Sequence, residues 1–183
     1  MTPTTISPQP HDRIDMSIPR QLHSQRLVLR EFRHEDWPFL HAHYRDGACT
    51  RFTFRRALSE GESWRAMASM AGHWALRGYG PYALEVRSTG QVIGAAGLWY
   101  PNDWPAPEIK WLLAREFWGQ GYASEAVRAI QQMARASLPE LQLISFINAE
   151  NQPSIRLALA VGASFEQEVA FRGSPWHIYR HPR

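Results

Sequence analysis

The sequence predicts an α/β protein whose helices pack on one mixed, mostly antiparallel β-sheet. Two observations predict this class. Strand-like runs form an antiparallel meander in the first half of the chain, and strands then alternate with helices as β-α-β-α-β in the second half. The length of 183 residues suffices for one substantial core, so we expect a single domain.

Composition is that of an ordinary globular protein, with 44% hydrophobic and 20% charged residues. Residues 1–20 are rich in Pro, Ser and Thr without periodicity, and predict a flexible tail ahead of a domain over residues 21–183. No apolar run approaches the roughly 20 residues that span a bilayer, and no export signal is evident. With Cys49 as the single cysteine, we expect a cytoplasmic protein that does not associate with membranes.

The net charge of +3 comes mainly from scattered arginines. This pattern argues against nucleic-acid binding, whereas an acidic small-molecule partner is compatible with it. No cluster of His, Cys, Asp or Glu has the spacing of metal ligands, so we expect no metal site.

The first elements follow from local patterns. Residues 26–32, RLVLREF, alternate in polarity and predict a strand, and residues 34–46 predict a short helix. Ser59 and Glu62 form a capping-box pattern that begins a second helix, which ends at Gly78.

A hairpin and a third strand are expected next. Tyr82–Arg87 and Gln91–Tyr100 are strand-like runs separated by a Ser-Thr-Gly turn, which favours antiparallel pairing. Pro101–Pro107 is a loop, and Glu108–Leu113 is the strand that follows it. The remaining predicted elements are an amphipathic helix with its apolar stripe at Ala123, Val127, Ile130 and Ala134, a strand over Gln142–Ile147, a helix over Pro153–Val161, and a closing strand pair over Ser164–Phe171 and Trp176–Arg180.

Two glycines immediately before the amphipathic helix mark a candidate binding loop. A helix start exposes unpaired amides and carries about half a positive charge, and Gly119 and Gly121 remove side chains that would block a ligand there. The segment Gly119–Ala123 therefore predicts a site for a phosphate or pyrophosphate. The alternative is that the glycines only make a tight strand-to-helix turn.

Two better-known phosphate loops fit the glycines poorly. A Walker loop needs Lys-Ser/Thr after its second glycine, where this chain has Tyr122-Ala123. A dinucleotide fingerprint would have Ser124 at its third glycine position and Glu140 as its acidic residue. That fingerprint belongs directly after the first strand of a βαβ series, whereas an antiparallel meander comes first here.

The loop and a second segment resemble a known family. EIKWLLAREFWGQGYASEAV, residues 108–127, resembles the central motif of the GCN5-related N-acetyltransferases (GNAT), Gln/Arg-x-x-Gly-x-Gly/Ala, with Trp118 where Gln or Arg is usual. NAENQPSIRLALAVGASF, residues 148–165, resembles the second motif, Asn-x-x-Ser before an apolar helix. The Trp and the following GYASEA are similar to the branch that includes ribosomal-protein N-terminal acetyltransferases. The resemblance extends from Leu27 to Tyr179.

The resemblance implies acetyl-CoA as cosubstrate. It implies that the two central parallel strands splay apart, which a bulge would produce, and that the pantetheine arm pairs with the backbone of Leu112 and Leu113. The residues implied in CoA binding are Leu112, Leu113, Trp118, Gly119, Gln120, Gly121, Tyr122, Ala123 and Asn151.

Two polar residues are candidates for the chemistry. Glu108 begins the strand before the loop, and we interpret it as the base that accepts the amine proton; the alternative is a surface carboxylate. The family's usual tyrosine acid would stand at Ala158, so Ser154 is the remaining donor to the leaving thiolate; the alternative is a serine satisfying helix amides. Asn151 is a helix cap, a pantetheine ligand or both.

The predicted function is transfer of an acetyl group from acetyl-CoA to a primary amine, either a protein N-terminus or a small molecule. Arg51 and Phe52 lie where the resembled family admits the acceptor. A non-catalytic acyl-CoA-binding module is the alternative, because the usual tyrosine is absent. The exposed edge after Ser164–Phe171 could pair with a second copy, so a homodimer and a monomer are both open.

Overall fold

Eight strands form one sheet in the structure, a computed structural model that describes residues 18–183. They are β1 (Gln21–His23), β2 (Leu27–Arg30), β3 (Pro81–Val86), β4 (Val92–Trp99), β5 (Glu108–Leu113), β6 (Ile144–Asn148), β7 (Ser164–Phe171) and β8 (Ser174–Arg180). Their order is β1-β2-β3-β4-β5-β6-β8-β7, and only β5 and β6 are parallel neighbours. The predicted mixed, mostly antiparallel sheet is confirmed.

Five α-helices are present in the described residues, and both faces of the sheet are covered. They are α1 (Trp37–Tyr44), α2 (Gly47–Thr50), α3 (Glu60–Arg77), α4 (Tyr122–Ser137) and α5 (Gln152–Ala160). The capping box of Ser59 and Glu62 begins α3 as predicted, and Gly78 ends it with a left-handed φ of 76°.

The core has two main parts because neighbouring residues of a strand point to opposite faces. On one face, Val127 and Ile130 of α4 pack with Leu84 of β3. On the other face, Met67 and Met70 of α3, together with α1, pack with β4 and β5. Helices therefore cover each side of the strands that form the site.

Two short elements were not predicted from the sequence. β1 has three residues, and α2 is one turn whose start is capped by Asp46, which accepts the Ala48 amide at 2.8 Å. Of the predicted tail, residues 1–20, the first 17 residues lie outside the described part of the chain. Ile18 is buried in the main core.

One edge of the sheet is β7, whose side chains are mostly exposed. Glu166 accepts hydrogen bonds from Arg180, and Glu168 is hydrogen-bonded to His177. Charged side chains along an edge strand oppose its pairing with another sheet. A homodimer formed through this edge stays a prediction.

The parallel strands β5 and β6 pair at a single position, Glu108 with Ile144, and then diverge. The register between β4 and β5 runs without a shift from Gly94–Leu113 to Trp99–Glu108, so the bulge expected to cause the splay is not found between these strands. Hydrogen bonds from side chains to backbone groups connect the two strands across the gap. Glu108 Oε2 accepts the Phe146 amide at 3.1 Å, and the Ser145 hydroxyl donates to the Ile109 carbonyl at 2.9 Å.

A buried network behind the gap connects β5, β6 and α4 with the residues that directly follow α5 and β8. His181 Nε2 lies 2.9 Å from the Ser145 hydroxyl, and its Nδ1 lies 3.0 Å from the Gln131 side-chain nitrogen, which also donates to the Val161 carbonyl. Because Gln131 donates and Ser145 already donates to Ile109, the consistent tautomer has a proton on Nε2 only. Burial lowers the pKa of His181 to about 4.

This network predicts that protonation of His181 destabilises the fold. Since the pKa of His181 falls from an unfolded value of 6.5 to about 4, the unfolded state binds the extra proton, and stability decreases as pH falls from 6.5 towards 4. His181 is expected to contribute a loss of roughly 3 kcal/mol at pH 4, while Glu108, whose pKa is raised, contributes in the opposite direction. Urea unfolding of the native protein and of His181→Gln at pH 7 and pH 4 isolates the His181 contribution, because Glu108 is common to both. His181→Gln should be less stable at pH 7 and should lose less on acidification; equal losses in both proteins would contradict the assignment.

Candidate active site

The glycine loop lies between the end of β5 and the start of α4. A 3-10 turn over Arg115–Phe117 leads into it, and Gly119 and Gly121 have left-handed φ values of 71° and 82°. These angles are costly for other residues, so the turn itself requires glycine. Gly121 is also the residue that caps α4, whose first amides have no partners within the helix.

Space is open in front of the loop. A Cβ atom added at Gly119 would meet nothing within 4 Å, and one at Gly121 would meet only Arg26 Nη2 at 3.3 Å. Trp118, Gly119, Gln120 and Gly121 are exposed. The loop therefore combines a tight turn with an accessible helix start, and its residues fit a bound diphosphate.

Arg26 is a cation of the loop that the sequence analysis missed. Its guanidinium donates to the Gln120 carbonyl at 2.9 Å and to Glu125 at 2.7 Å, and it lies 4.3 Å from the centre of the Tyr122 ring. Glu125 also accepts from the Ser24 hydroxyl at 2.7 Å. Arg26 thus connects the loop to the turn between β1 and β2. The contact was not predictable from local sequence patterns because about 100 residues separate its two sides.

The two leucines at the end of β5 point their backbone groups to opposite sides of the strand. The Ala114 amide bonds to the Ile93 carbonyl of β4 at 3.0 Å, so alternation along the strand directs Leu112 to β4 as well. The backbone groups of Leu112 are therefore engaged with β4 and turned away from the gap, which argues against the predicted pairing of Leu112 with the pantetheine arm. Trp111 and Leu113, like Ile109, direct their backbone groups to the gap.

The carbonyl of Leu113 is itself occupied. It accepts from Trp118 Nε1 at 3.0 Å and from His43 Nδ1 at 2.8 Å. Burial lowers the pKa of His43. The Leu113 amide faces the gap as well, and no side chain of residues 18–183 bonds to it. Trp118 orders the end of β5 through its bond to the carbonyl.

A cavity of about 570 Å³ begins at the splay between β5 and β6. Glu108, Phe52, Asn151 and Ser154 all line it, so these predicted site residues come together. Arg51 is not among the lining residues; it is exposed and stacks 5.2 Å from the centre of the Phe52 ring. The aromatic part of the wall consists of Tyr44, Phe52, Phe54, Trp99, Trp104, Trp111, Phe146 and Trp176.

Glu108 is buried on the cavity wall, with 6% of its surface exposed. Its carboxylate accepts Trp104 Nε1 at 2.8 Å and the Phe146 amide at 3.1 Å. Burial raises the pKa of Glu108 to about 7, although both donors and the nearby Lys110 charge oppose this rise. A carboxyl with this pKa can accept a proton near neutral pH and release it again.

Lys110 is the second charged group on this strand face and was not predicted. Residues two apart on a strand point the same way, so Lys110 lies beside Glu108. Its ammonium lies 4.4 Å from the centre of the Trp99 ring, and burial lowers its pKa while the Glu108 charge raises it. The alternation within EIKWLL could have revealed this residue.

Asn151 and Ser154 occupy the first turn of α5. Asn151 Oδ1 accepts the Ser154 amide at 3.3 Å and so caps the helix. The Ser154 hydroxyl makes no hydrogen bond within residues 18–183 and lines the cavity. Ala158, where the resembled family usually has tyrosine, is fully buried against Ile155.

Neither a metal cluster nor a membrane span is found in the described part of the chain. Among residues 18–183, no group of three or more His, Cys, Asp or Glu side chains could hold a metal ion. None of the helices described here combines the length and apolar character that crossing a bilayer requires.

Comparison with known proteins agrees with this architecture. A protein named uncharacterized N-acetyltransferase p20, from Bacillus licheniformis, is 29% identical over 153 residues, which cover 82% of this chain and 85% of that protein. An acetyltransferase structure from Agrobacterium tumefaciens superposes with a TM-score of 0.80 at 24% identity, over 94% of this chain and 99% of that one.

A further structure with the same fold is RimL, a ribosomal L7/L12 alpha-N-protein acetyltransferase in complex with coenzyme A. It superposes with a TM-score of 0.69 at 20% identity, over 90% of this chain and 96% of that chain. The acetyltransferase (GNAT) domain family matches residues 26–164. The chain therefore belongs to the GNAT acetyltransferase family and is an acetyl-CoA-dependent acetyltransferase.

Proposed function

We propose that the protein transfers the acetyl group to a small-molecule primary amine by direct attack in a ternary complex, with Glu108 as the base. One observation carries the proposal: a buried carboxyl with a pKa of about 7 lies on the wall of a 570 Å³ cavity, where β5 and β6 part. Cavities of roughly 300–1,000 Å³ are typical of small-molecule sites, whereas a protein terminus favours an open groove.

The cosubstrate would be held along β5 and the glycine loop. The amides of Gly119–Ala123 would bind the diphosphate, since the helix start is accessible and a side chain at Gly119 would project into open space. Trp111 and the Leu113 amide would pair with the pantetheine arm. A pantetheine arm held in this way would place the thioester in the gap beside Glu108.

The chemistry needs a neutral amine and a stabilised leaving thiolate. Glu108 takes a proton from the acceptor ammonium, and the amine nitrogen then bonds to the thioester carbon. The carbon–sulfur bond breaks, and the thiolate leaves with a hydrogen bond from the Ser154 hydroxyl. The nitrogen, now cationic, gives its second proton through water to the thiolate, and Glu108 releases the first proton to solvent. Asn151 keeps Ser154 at the cavity by capping α5.

Replacing Gly119 with Ala should weaken coenzyme A binding. Gly119 and Gly90 share a φ of 71° and have open space at Cβ, so Gly90→Ala carries the same backbone strain at the β3–β4 turn, away from the loop. We expect both variants to lose about 1 kcal/mol of stability. Only Gly119→Ala should lose affinity, by about tenfold or more. Calorimetry with coenzyme A and thermal melting measure both, and equal affinities would contradict the predicted diphosphate site.

Replacing Glu108 with Gln should lower kcat/KM by about 100-fold or more. In the native protein, activity should rise with pH through an inflection near pH 7, because the ionised carboxylate is the base. The variant should lack this inflection. Trp104→Phe removes a donor to the carboxylate and should move the inflection above pH 7. An unchanged profile in Glu108→Gln would remove Glu108 from the mechanism.

Replacing Ser154 with Ala should lower kcat by about tenfold or more while leaving acetyl-CoA affinity unchanged. The Ser154 amide still reaches Asn151 in this variant, so the helix cap and the melting temperature should be preserved. Asn151→Ala is the matched comparison, since it should lower stability by about 1 kcal/mol. Normal turnover in Ser154→Ala would reduce Ser154 to a structural residue.

A further inference from the structure

Most charged side chains on the cavity wall neutralise one another. Arg56 donates to Glu62 at 2.9 Å, and Arg172 donates to Asp103 at 2.8 Å. Each of these two ion pairs is neutral as a pair and adds no net charge to the wall. The groups that remain are Glu108, Lys110 and Arg65.

The remaining groups leave an excess of positive charge. Arg65, exposed on α3 at the cavity, makes no hydrogen bond or ion pair within residues 18–183. Lys110 faces the Trp99 ring and the Glu108 carboxylate. Once Glu108 has taken the proton of the acceptor amine, its negative charge is lost, and with it the contribution that raises the pKa of Lys110. A second ammonium group on the acceptor would be repelled by Arg65 and would lower the pKa of Lys110 further, whereas an anionic group would replace the charge that Glu108 has lost.

The rest of the wall is suited to an apolar body. Phe52, Phe54, Trp99 and Trp104 line the same cavity as the two cations. Residues two apart on a strand are separated by about 6.7 Å along the chain, so the Glu108 carboxylate and the longer Lys110 side chain can reach neighbouring groups of one small molecule. An amine directed to Glu108 thus has room for an attached acid at Lys110.

We propose that the acceptor is an α-amino carboxylate with an apolar or aromatic side chain, whose carboxylate binds Lys110 and Arg65. This inference rests on the proposed function, because it concerns the acceptor of the same reaction. It disfavours polyamines, which place several positive charges in the cavity. It also assigns Lys110 and Arg65 the task of selecting the acceptor, while Glu108 performs the proton transfer.

The experiment compares acceptors that share a body and differ in charge. Thiol release from acetyl-CoA is measured with phenylalanine, phenylalanine amide and phenethylamine, and with leucine, leucine amide and isoamylamine. The amides separate charge from basicity, since loss of the carboxylate lowers the pKa of the amine and would by itself favour the amide. We expect kcat/KM to favour the acids by about tenfold or more, mainly through KM.

Variants test which residues cause the preference. Lys110→Met and Arg65→Gln should each reduce the acid-to-amide ratio, and the ratio cancels any effect of Lys110 on the Glu108 pKa that all acceptors share. Arg45→Gln is the matched control. The substitution removes the same charge as Arg65→Gln, and Arg45 is exposed but does not line the cavity. Its ratio should equal that of the native protein.

The outcomes distinguish this inference from the proposed function. Thiol release that is equal or faster with the amides and simple amines, or fastest with spermidine, would overturn the acceptor assignment and leave the transfer reaction standing. An acid preference that survives in Lys110→Met and Arg65→Gln would equally overturn it. Absence of thiol release with every amine, spermidine included, would overturn the proposed function and this inference with it.

Discussion

The divergence of two parallel strands after one residue pair is the constraint on which the site depends. Beyond Glu108 and Ile144, β5 and β6 no longer pair, and their backbone groups need other partners because unpaired buried groups cost free energy. Side chains supply some of these partners. Glu108 accepts the Phe146 amide, Ser145 donates to the Ile109 carbonyl, and Trp118 donates to the Leu113 carbonyl. These side chains bond to backbone groups that would otherwise pair between the two strands, and so they hold the gap open.

This constraint joins the structural role of Glu108 to its chemical role. The carboxylate that receives the orphaned Phe146 amide is also the group whose pKa burial raises to about 7. A more exposed carboxylate would be too acidic to keep an amine proton, and an unbonded one would be costlier to ionise. Lys110 limits the rise by favouring the charged form of Glu108. Stability and reactivity therefore draw on the same contacts.

The binding loop and the cavity are supported from opposite ends of the chain. Arg26, in the turn before β2, holds Gln120 and Glu125 at the start of α4. His181, near the C-terminus, bonds to Ser145 and Gln131 behind the gap. Both contacts keep α4 in place relative to the open strands. A helix start is useful for binding an anion only if its position relative to β5 is constant, which these contacts provide.

The sequence by itself determined the features that arise from residues close together in the chain. Strand alternation, the Ser59–Glu62 capping box and the glycine pair before α4 depend on local backbone geometry, so the mixed sheet and the loop were predictable. The tertiary structure alone decided the rest. The direction of the Leu112 backbone depends on pairing with β4, the role of Arg26 on folding across about 100 residues, and the pKa of Glu108 on burial by distant elements. Such properties belong to contacts between elements, which no local pattern encodes.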